Sequence, residues 1–437
     1  MKEIKLTITA LSPLAVGTKK PGSVSEAHEY VAGSVIRGTI AEKILQAQPN
    51  PQPGDDFYSL FVDNQAAIFH NAYPVTGKYR DFTNAVDEQD YEEKSLCAEQ
   101  VLVLPTTAVS SKIKPGFKYK LFEDEFQGNG VFDTLIDHLC AAEYNLPYDP
   151  TCPSGSGQVE AFSGFYSCDN STKSPRYIKH SVNKRLLTRV GINRQRATSQ
   201  EDILYSIEVL NEKFPLQVKQ KSPQWLPVKY RSSILLEDAK LAKLLTQFID
   251  TNSHNFRLGG ATSRGLGKVE ITANLEELNT DITQNIDNFN NKIKERRQEW
   301  GEVFGHDSPP NQSERTYFTI NLLSDAILVN SWQRTTVLCT QMLQELTGVT
   351  DENLKLHTAY SNYSYTSGWN SAWGLNKDTE LITTKGSVYL FSTSEPDKWY
   401  QPLTKLTHQG IGERTTEGFG QITVCHPFHL IFREEAV

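Results

Sequence analysis

The predicted elements of this chain occur twice in the same order. Residues 5–17 (KLTITALSPLAVG) and 317–329 (YFTINLLSDAILV) both alternate apolar and polar side chains as strands do, and a helical pattern follows each. A glycine-rich loop precedes a strand at 259–271 (GGATSRGLGKVEI) and again at 410–424 (GIGERTTEGFGQITV). Chance produces two similar loops easily, but a matching order of strand, helix, strand and glycine loop much less so. The sequence therefore predicts an internal duplication, and 437 residues are enough for two cores.

Helical and linker patterns predict the domain boundaries. Between residues 275 and 300, apolar side chains step by threes and fours, which indicates an amphipathic helix that ends the first domain. Residues 305–315 contain Gly, Pro, Ser and Asn without periodicity and are the best linker candidate. We therefore expect domains at 1–304 and 316–437. A stretch rich in Gly, Pro and Ser at about 112–168 is the expected insertion in the first domain.

Apolar periodicity predicts the other elements of both halves. Helices are expected at 32–48, with Ser34 as N-cap, at 236–249 and at 331–348. The apolar face of the last helix consists of Val337, Leu338, Met342, Leu343 and Leu346. Strands are expected at 101–109, 203–210, 268–272 and 386–393.

Composition favours a soluble, cytoplasmic protein. No apolar run reaches the roughly 20 residues of a membrane-spanning helix, and the alternating N-terminus is unlike the continuous apolar segment of a signal peptide. The six cysteines are scattered without a dense framework, so we expect reduced thiols. No membrane partner is expected.

The formal charge of −8 argues against general adhesion to nucleic acid, but the charge is unevenly distributed. Residues 170–200 contain no acid, and the cations there are Lys173, Arg176, Lys179, Lys184, Arg185, Arg189, Arg194 and Arg196. A strand or loop that follows a phosphate backbone has this composition. The neighbouring aromatic residues Phe162, Phe165, Tyr166 and Tyr177 are candidates to stack on unpaired bases. A solvated basic face is the alternative.

The two glycine loops are candidate anion sites. Clustered glycines reach positive φ and let successive backbone N–H groups point into one concavity. Arg264 and Lys268 add cations to the first loop, whereas Glu413 and Glu417 partly cancel Arg414 in the second. Neither loop opens a helix after a strand, which excludes a P-loop and a dinucleotide fingerprint. A tight turn before an edge strand is the alternative.

The turn GSVIRG at residues 33–38 is a further candidate anion site. A helix N-terminus offers unpaired N–H groups and a partial positive charge, to which Arg37 adds a full charge. An ordinary helix start with a surface arginine is the alternative.

As a set, three of these stretches resemble the RAMP superfamily, the RNA-binding subunits of CRISPR effector complexes. They are LSPLAVG (11–17), YVAGSVIRGTIAEKIL (30–45) and the first glycine loop. In the second half, residues 367–391 followed by GIGERTTEGFGQI resemble the C-terminal domain of the type III subunit that caps the guide RNA at its 5′ end. The elaborated first half and the length are most similar to the type III-D version.

The resemblance implies an α+β fold of two tandem ferredoxin-like (RRM-type) RAMP domains, with a large insertion in the first. It implies a subunit that holds the 5′ handle of a CRISPR RNA and meets target RNA indirectly. The implied protein partners are the large signalling subunit and the RAMP backbone subunits. Carried over residue by residue, the family's motif positions are Gly33, Ser34, Arg37 and Gly38, then Gly259, Gly260, Arg264, Gly265 and Gly267, then Gly410, Gly412, Gly418 and Gly420.

We expect no catalytic activity. Some RAMP relatives are endoribonucleases that use a histidine as general base, and His28 is the candidate here, with Tyr30 nearby and His180 in the basic segment. A lone loop histidine is more often a surface residue, and no aspartate lies between Ser12 and Ser34 to cut target RNA. An endoribonuclease that processes repeat RNA or cleaves target RNA is the alternative function.

No cofactor is expected. Cys97, His138, Cys140, Cys152 and Cys168 surround the insertion, where related subunits can carry metal knuckles. The sequence lacks any Cys-x-x-Cys pair, so idle thiols are favoured over zinc.

A scaffold that touches only protein is a third functional class. The amphipathic helix at 275–300 and Trp369, Trp373 and Trp399 are its candidate contacts, although each of these is more often part of a core.

Overall fold

The computed structural model describes residues 1–18, 26–63, 65–81, 92–120, 126–155, 157–169, 175–193, 195–196, 198–216, 222–278, 280–304, 315–370 and 374–437. The fold is mixed α/β, and its paired strands are antiparallel. The described residues include the helices α1 (Gly33–Ala47), α2 (Asp56–Phe61), α3 (Leu135–Glu143), α4 (Ala239–Thr251), α5 (Ile282–Phe304), α6 (Thr340–Thr347) and α7 (Tyr400–Gln409). None of these helices is long and apolar enough to cross a membrane.

The strands fall into two main sheets and several smaller ones. Those of the first half are β1 (Lys2–Ala10), β2 (Gly17–Thr18), β3 (Glu26–Ala27), β4 (Ile68–Phe69), β5 (Tyr73–Pro74), β6 (Thr76–Asp81), β7 (Glu92–Cys97), β8 (Leu102–Val103), β9 (Ala108–Ser111), β10 (Tyr119–Lys120), β11 (Phe126–Gln127), β12 (Val131–Asp133), β13 (Val159–Ala161), β14 (Phe165–Asp169), β15 (Arg176–His180), β16 (Lys184–Asn193), β17 (Thr198–Leu210), β18 (Lys213–Leu216), β19 (Gln224–Pro227), β20 (Lys229–Leu236) and β21 (Val269–Glu277). Those of the second half are β22 (Thr316–Leu322), β23 (Leu328–Asn330), β24 (Gln333–Thr335), β25 (Lys355–Tyr360), β26 (Tyr363–Thr366), β27 (Trp369–Asn370), β28 (Leu375–Asn376), β29 (Glu380–Thr383), β30 (Val388–Thr393) and β31 (Ile422–Val424).

The first main sheet has the order β21-β1-β20-β4, and β5 also pairs with β20. Helix α1 connects β1 to β4, and α4 connects β20 to β21. The side chains of Ile4, Leu6 and Ile8 alternate along β1 and are buried in the core that α1 and α4 complete. Asp238 caps α4 by accepting hydrogen bonds from the N–H groups of Lys240 and Leu241.

The second main sheet repeats this arrangement in the order β25-β30-β22-β31. Helix α6 connects β22 to β25, and α7 connects β30 to β31. We number the four strands on each path by their sequence order and leave out β5. Both sheets then have the spatial order 2-3-1-4, which is β4-β20-β1-β21 in the first half and β25-β30-β22-β31 in the second. The core of the second half contains Phe318, Phe391 and Trp399, all at most 1% exposed.

The repeat extends to individual hydrogen bonds. Ser12 Oγ accepts from the Lys268 N–H at 2.7 Å, and Ser324 Oγ accepts from the Gln421 N–H at 2.8 Å. Three backbone hydrogen bonds around each glycine loop also correspond. In the first loop, the N–H groups of Gly267, Gly260 and Leu258 donate to the carbonyls of Pro13, Ala15 and Gly267. In the second loop, the N–H groups of Gly420, Glu413 and Ile411 donate to the carbonyls of Asp325, Ile327 and Gly420. The alignment of residues 8–12 with 320–324 is therefore confirmed, and each glycine loop closes onto the end of its own first strand.

The amphipathic helix begins later than predicted and packs elsewhere. Residues 275–277 continue β21 and pair with β1, and α5 begins at Ile282. Its buried side chains Ile282, Ile286, Phe289 and Ile293 lie in the core of the second half, although the sequence analysis assigned the helix to the first domain. The linker predicted at 305–315 lies outside the described residues except for Arg315.

Two other predicted elements are shorter than expected. Residues 331–335 form the turn and second strand of the β23–β24 hairpin, with Ser331 and Trp332 at positive φ, so the helix predicted at 331–348 begins at Thr340. Leu346, expected on its apolar face, is 41% exposed. The strand predicted at 101–109 divides into β8 and β9, which join different sheets on either side of Pro105.

The predicted insertion packs mainly against the second half. Helix α3 contributes Leu135, Ile136, Leu139 and Cys140 to the second core. Phe132 and Tyr166 pack with Phe428 in a third core that includes the C-terminal tail. Asp133 and His429, both fully buried, lie 3.1 Å apart across this contact. Chain from the first half therefore completes the core of the second.

A glycine contact joins the two halves. The Asn71 amide accepts a hydrogen bond from the Gly33 N–H at 2.8 Å and donates one to the Gly418 carbonyl at 3.2 Å. A Cβ on Gly33 would overlap the Phe69 carbonyl oxygen and approach the Glu417 carbonyl oxygen to 2.9 Å. The expected N-cap Ser34 lies inside α1, whose N-cap residue is Ala32, and the Asn71 side chain satisfies the first helical N–H instead.

Ion pairs within the second half stabilise the glycine loop that makes this contact. The guanidinium of Arg414 donates two hydrogen bonds to Glu417, at 2.6 and 3.2 Å, and Lys377 lies 3.6 Å from the same carboxylate. Burial acts to raise the pKa of Glu417, but the hydrogen bonds and charge of Arg414, with the charges of Lys377 and Arg37, outweigh it and hold the pKa below its ordinary value.

Replacing Gly33 with alanine should destabilise the protein. The added methyl group overlaps backbone on both sides of the contact, so we expect a loss of about 1–3 kcal/mol and a lower thermal midpoint. Gly38→Ala is the matched control in the same helix, because nothing lies within 4 Å of its Cβ position and alanine should add about 0.5–1 kcal/mol. Equal midpoints for the two variants would contradict the contact.

Glu417→Gln should destabilise the protein at neutral pH but less so in acid. The pKa of the folded carboxyl lies below its ordinary value of 4.5, so its contribution is present above that pH and is lost as the pH falls. We expect a loss of about 1–3 kcal/mol at pH 7. The measurement is the difference in thermal midpoint from the unmodified chain between pH 7 and 4. Glu302→Gln, at an exposed position on α5, is the control, and a pH-independent difference would refute the prediction.

Candidate nucleic-acid interface

Backbone N–H groups of the first glycine loop donate hydrogen bonds within the protein. Gly260 and Gly267 donate their N–H groups to the carbonyls of Ala15 and Pro13, at 2.8 and 2.9 Å. A Cβ on Gly259 would lie 2.5 Å from the Ala15 oxygen, which explains why glycine is needed there. These N–H groups therefore do not form the anion-binding nest that the sequence predicted. The turn at 262–265 faces solvent, and its side chains are what it offers to a ligand.

Arg264 and Arg189 lie together beside this turn. Arg264 is exposed, donates to the Tyr205 hydroxyl at 2.6 Å and has its guanidinium 5.5 Å from the centre of that ring. Arg189, on β16, donates to the Arg264 carbonyl at 3.0 Å. Lys268 of the same loop is also exposed. We call Arg189, Tyr205 and Arg264 the hairpin surface, because β16 and β17 form a two-stranded ribbon there.

Other predicted cations are already engaged. Lys184 donates to the Ala27 carbonyl at 2.6 Å, and Arg185 pairs with Glu212 at 3.0 Å. Lys179 lies over the Phe162 ring at 4.3 Å, and burial lowers its pKa against an opposing effect of Glu29. Arg196 is exposed, whereas Arg194 and Lys173 lie outside the described residues. The acid-free segment is thus partly paired with acids that are distant in sequence.

The helix-start site is closed. Arg37 bonds to the Phe61 carbonyl and lies 5.6 Å from the centre of the Phe61 ring, so its guanidinium is held inside the first half. The second glycine loop covers Gly33 at the N-terminus of α1. The N-terminus of α1 is therefore not open to an anion at residues 33–37. Gly38, one turn further along the helix, is exposed.

The charged side chains of the second glycine loop form ion pairs. Besides the pair of Arg414 with Glu417, Glu413 pairs with Arg334 at 2.6 Å. Gly412 and Gly420 closely approach the Ile327 and Ile411 carbonyls, and Gly410 has a φ of 75°. The loop serves contact between the halves, so of the two the first loop is the more available to RNA.

A cleft of about 380 Å³ lies between the halves. Its walls include His28, Tyr30 and Phe165 from the first half and Tyr365 and Lys385 from the second. The Lys385 ammonium lies 5.1 Å from the Tyr30 ring centre and 5.8 Å from that of Phe165. Tyr365 and Lys385 were not predicted from the sequence; the alternation of tyrosine with serine at residues 363–365 is the pattern that indicates exposed aromatic rings here.

The two histidines have different surroundings. His28 is half-buried at the cleft, with its ring 5.1 Å from that of Tyr30. His180 is buried against the Ser167 hydroxyl at 2.7 Å, and burial lowers its pKa to about 4. His180 is therefore neutral at pH 7 and shielded from solvent. Of the histidines singled out in the sequence, His28 is the one that reaches the cleft.

The candidate zinc ligands are not brought together. Cys140 is buried in the second core, Cys152 is buried near Asn129, and Cys97 and Cys168 are exposed on β7 and β14. His138 packs near Tyr148 and Tyr360. Within the described residues no three His, Cys, Asp or Glu side chains form a group that could hold a metal ion. The expectation of no cofactor stays a prediction, and these residues give the alternative of zinc no described site.

The scaffold candidates are largely internal. Trp399 is 1% exposed and donates to Asp351 at 2.9 Å, and α5 is packed in the second core. Trp369 belongs to β27, and Trp373 lies outside the described residues.

Comparison with known proteins identifies the family. The model of the RAMP superfamily matches residues 7–270, and that of CRISPR-associated protein (Cas_Cmr3) matches residues 185–427. No curated protein matches the chain. Each family model covers more than half of the 437 residues.

Solved structures of CRISPR proteins are similar at low identity. One chain of type III-B Cmr-beta bound to cognate target RNA is 12% identical over 62% of this chain and 96% of its own, with a TM-score of 0.31. Another, from Cmr-beta with cognate target RNA and AMPPnP, is 10% identical over 88% and 86%, at 0.35. Oligomeric Cmr4 from Pyrococcus furiosus is 12% identical over 63% and 99%, at 0.26. These scores are too low to carry a functional argument. On the family models, the chain belongs to the RAMP superfamily and to the Cas_Cmr3 family of CRISPR-associated proteins.

Proposed function

We propose that this chain is a non-catalytic RNA-binding subunit of a type III CRISPR effector complex and holds the 5′ handle of the CRISPR RNA. The observation that carries the proposal is the hairpin surface, where Arg189 and Arg264 converge beside the solvent-facing turn of the first glycine loop. The corresponding turn of the second loop is half-buried, its last residue packs against Gly33, and its arginine is paired with Glu417. Family membership supports a role in CRISPR defence.

The proposed architecture is a tandem of ferredoxin-like domains. The shared strand order and the connecting helices support it, as do the matching hydrogen bonds of both glycine loops. In this proposal the insertion comprises about residues 112–168 and the second domain comprises residues 316–437. The packing of α5 and α3 favours a closer association of these segments with the second domain than their sequence positions indicate.

The proposed partners are CRISPR RNA, target RNA through the guide, the large signalling subunit and the RAMP backbone subunits. The proposed location is the cytoplasm, and no cofactor is proposed. The type III-D assignment is the finest part of the proposal and is supported by the length and the elaborated first half.

Removing both arginines of the hairpin surface should weaken RNA binding and its salt dependence. Each lost phosphate contact lowers the slope of log affinity against log salt by about 0.7 for single strands, so Arg189→Gln with Arg264→Gln should flatten the slope by about 1.4. Fluorescence anisotropy with a single-stranded RNA across several salt concentrations measures it. Lys243→Gln, an exposed cation on α4, is the control. An unchanged slope in the double variant would favour the protein-only scaffold.

An endoribonuclease is the second candidate, because the cleft places His28 beside Tyr30 and within the same cavity as Lys385. Our proposal predicts that the purified chain leaves labelled repeat RNA, and guide RNA with target, intact at neutral pH. Site-specific cleavage that disappears in His28→Ala but persists in His254→Ala, an exposed histidine elsewhere, would establish the alternative. Gel analysis of the RNA over time decides between the two.

A further inference from the structure

The cleft between the halves has one apolar aromatic wall. Tyr30, Tyr73 and Phe165 pack together with ring centres 4.6 to 6.2 Å apart and are at most 7% exposed. The Tyr30 hydroxyl donates to Asp325 at 3.4 Å, and Tyr73 donates to the Leu323 carbonyl. These bonds join the two halves, so the wall is held in place by both.

The second half contributes the exposed ring of Tyr365 to the cleft, and Tyr363 lies beside it on the same strand. Tyr365 is 51% exposed and Tyr363 64% exposed, and their ring centres lie 6.2 Å apart on one face of β26. Strand β26 pairs with β29, which fixes the backbone of both residues. A large ring left in solvent at the mouth of a cavity offers a face on which a planar ligand stacks.

The charges of the cleft are few and nearly balanced. Asp325 accepts hydrogen bonds from the Tyr30 hydroxyl and, at 2.9 Å, from the Lys385 N–H. The Lys385 ammonium lies over aromatic rings, and no carboxylate pairs with it in the described part of the chain. Glu29 lines the mouth, and Lys179 lies close to Gly164 on the same rim. Such a site suits a neutral ring with a single phosphate; a polyphosphate would need more positive charge.

The edges of the cleft offer hydrogen-bonding groups. Asn362, Ser364, Thr366 and Thr384 line it with amide and hydroxyl side chains. The lining thus combines these polar groups with aromatic and aliphatic side chains, and polar groups at fixed positions orient a small ligand in its site. Nucleobases present donors and acceptors along their edges and stack on aromatic rings when unpaired.

The cleft is connected to the hairpin surface. Lys184 of β16 donates to the Ala27 carbonyl, and the next residue, His28, lines the cleft. The hairpin that carries Arg189 thus contacts the loop that forms the mouth. An RNA strand on the hairpin surface would reach the cleft along this loop.

We propose that the cleft binds one unpaired nucleotide of the RNA, with its base stacked on Tyr365 and its phosphate at Lys385. This inference rests on the proposed RNA-binding function and adds a base-specific subsite to it. The cavity volume of about 380 Å³ accommodates one nucleotide.

The test is a thermodynamic cycle between the protein and one position of the RNA. A single-stranded RNA of about 10 nucleotides is prepared with an abasic site at each position in turn, and affinities are measured for the full chain. We expect one position whose abasic form binds about 5- to 150-fold more weakly. Tyr365→Leu should weaken the binding of intact RNA by a similar factor. It should weaken the binding of the abasic RNA little, because the stacking contact is already absent there.

Controls separate stacking from general effects. Tyr365→Phe keeps the ring and should bind as the unmodified chain does. Trp332→Leu removes a 99% exposed ring elsewhere and should also have no effect. Lys385→Gln should weaken binding of both the intact and the abasic RNA. Substitution of 5-iodouridine at the sensitive position should crosslink to Tyr365.

The outcomes distinguish the subsite from the function. The nucleotide subsite would be overturned if the losses of affinity from the abasic site and from Tyr365→Leu were additive, or if an abasic site weakened binding equally at every position. The Arg189→Gln and Arg264→Gln variant tests RNA binding independently of these outcomes. An RNA that fails to bind the unmodified chain would overturn both proposals.

Discussion

The side-chain amide of Asn71 is the interaction on which the arrangement of the two halves depends. It accepts from the first N–H of α1 and donates to the carbonyl of Gly418 in the second glycine loop. Both backbone groups are buried, so leaving either unpaired would cost about 1–3 kcal/mol. Glycine on both sides lets the two backbones approach within the reach of one amide. The same contact brings Tyr30 and Tyr73 against Asp325 and Leu323, and the cleft between the halves results from it.

The duplication produces two loops with the same backbone and different surroundings. Ala261 and Arg414 hold corresponding left-handed positions, with φ of 55° and 59°, and each precedes a short 3₁₀ turn. In the second loop this turn is covered by α1, and the arginine is paired with Glu417. In the first loop the turn is exposed and ends in Arg264. A repeated backbone motif thus serves domain contact in one copy and presents cations in the other.

The halves are also interleaved. Asp137 of α3 accepts hydrogen bonds from Arg296 and Trp300 of α5, and Arg297 pairs with Glu143. Asp137 is buried, so loss of a partner would leave an uncompensated charge. These contacts hold α3 and α5 on the second core. The second half therefore folds around chain that precedes it, and its boundary in sequence is not its boundary in space.

The sequence alone determined the repeated order of elements, the β1 and β22 strands, the helices α1 and α4 and the glycine loops, because periodicity and glycine content are local properties of the chain. It also drew attention to Arg189 and Arg264. Only the tertiary structure decided which N–H groups remain available, since the partners of Gly260 and Gly33 lie far away in sequence. Charge followed the same rule in the first half, where the acid-free segment meets Glu208 and Glu212 across a hairpin. The pairing of Arg414 with Glu417 was, by contrast, already indicated by the sequence, because the two residues lie within one turn. Tyr365 and Lys385 could not be predicted as neighbours of His28, because a cleft between the two halves has no local pattern and exists only once the halves are packed together.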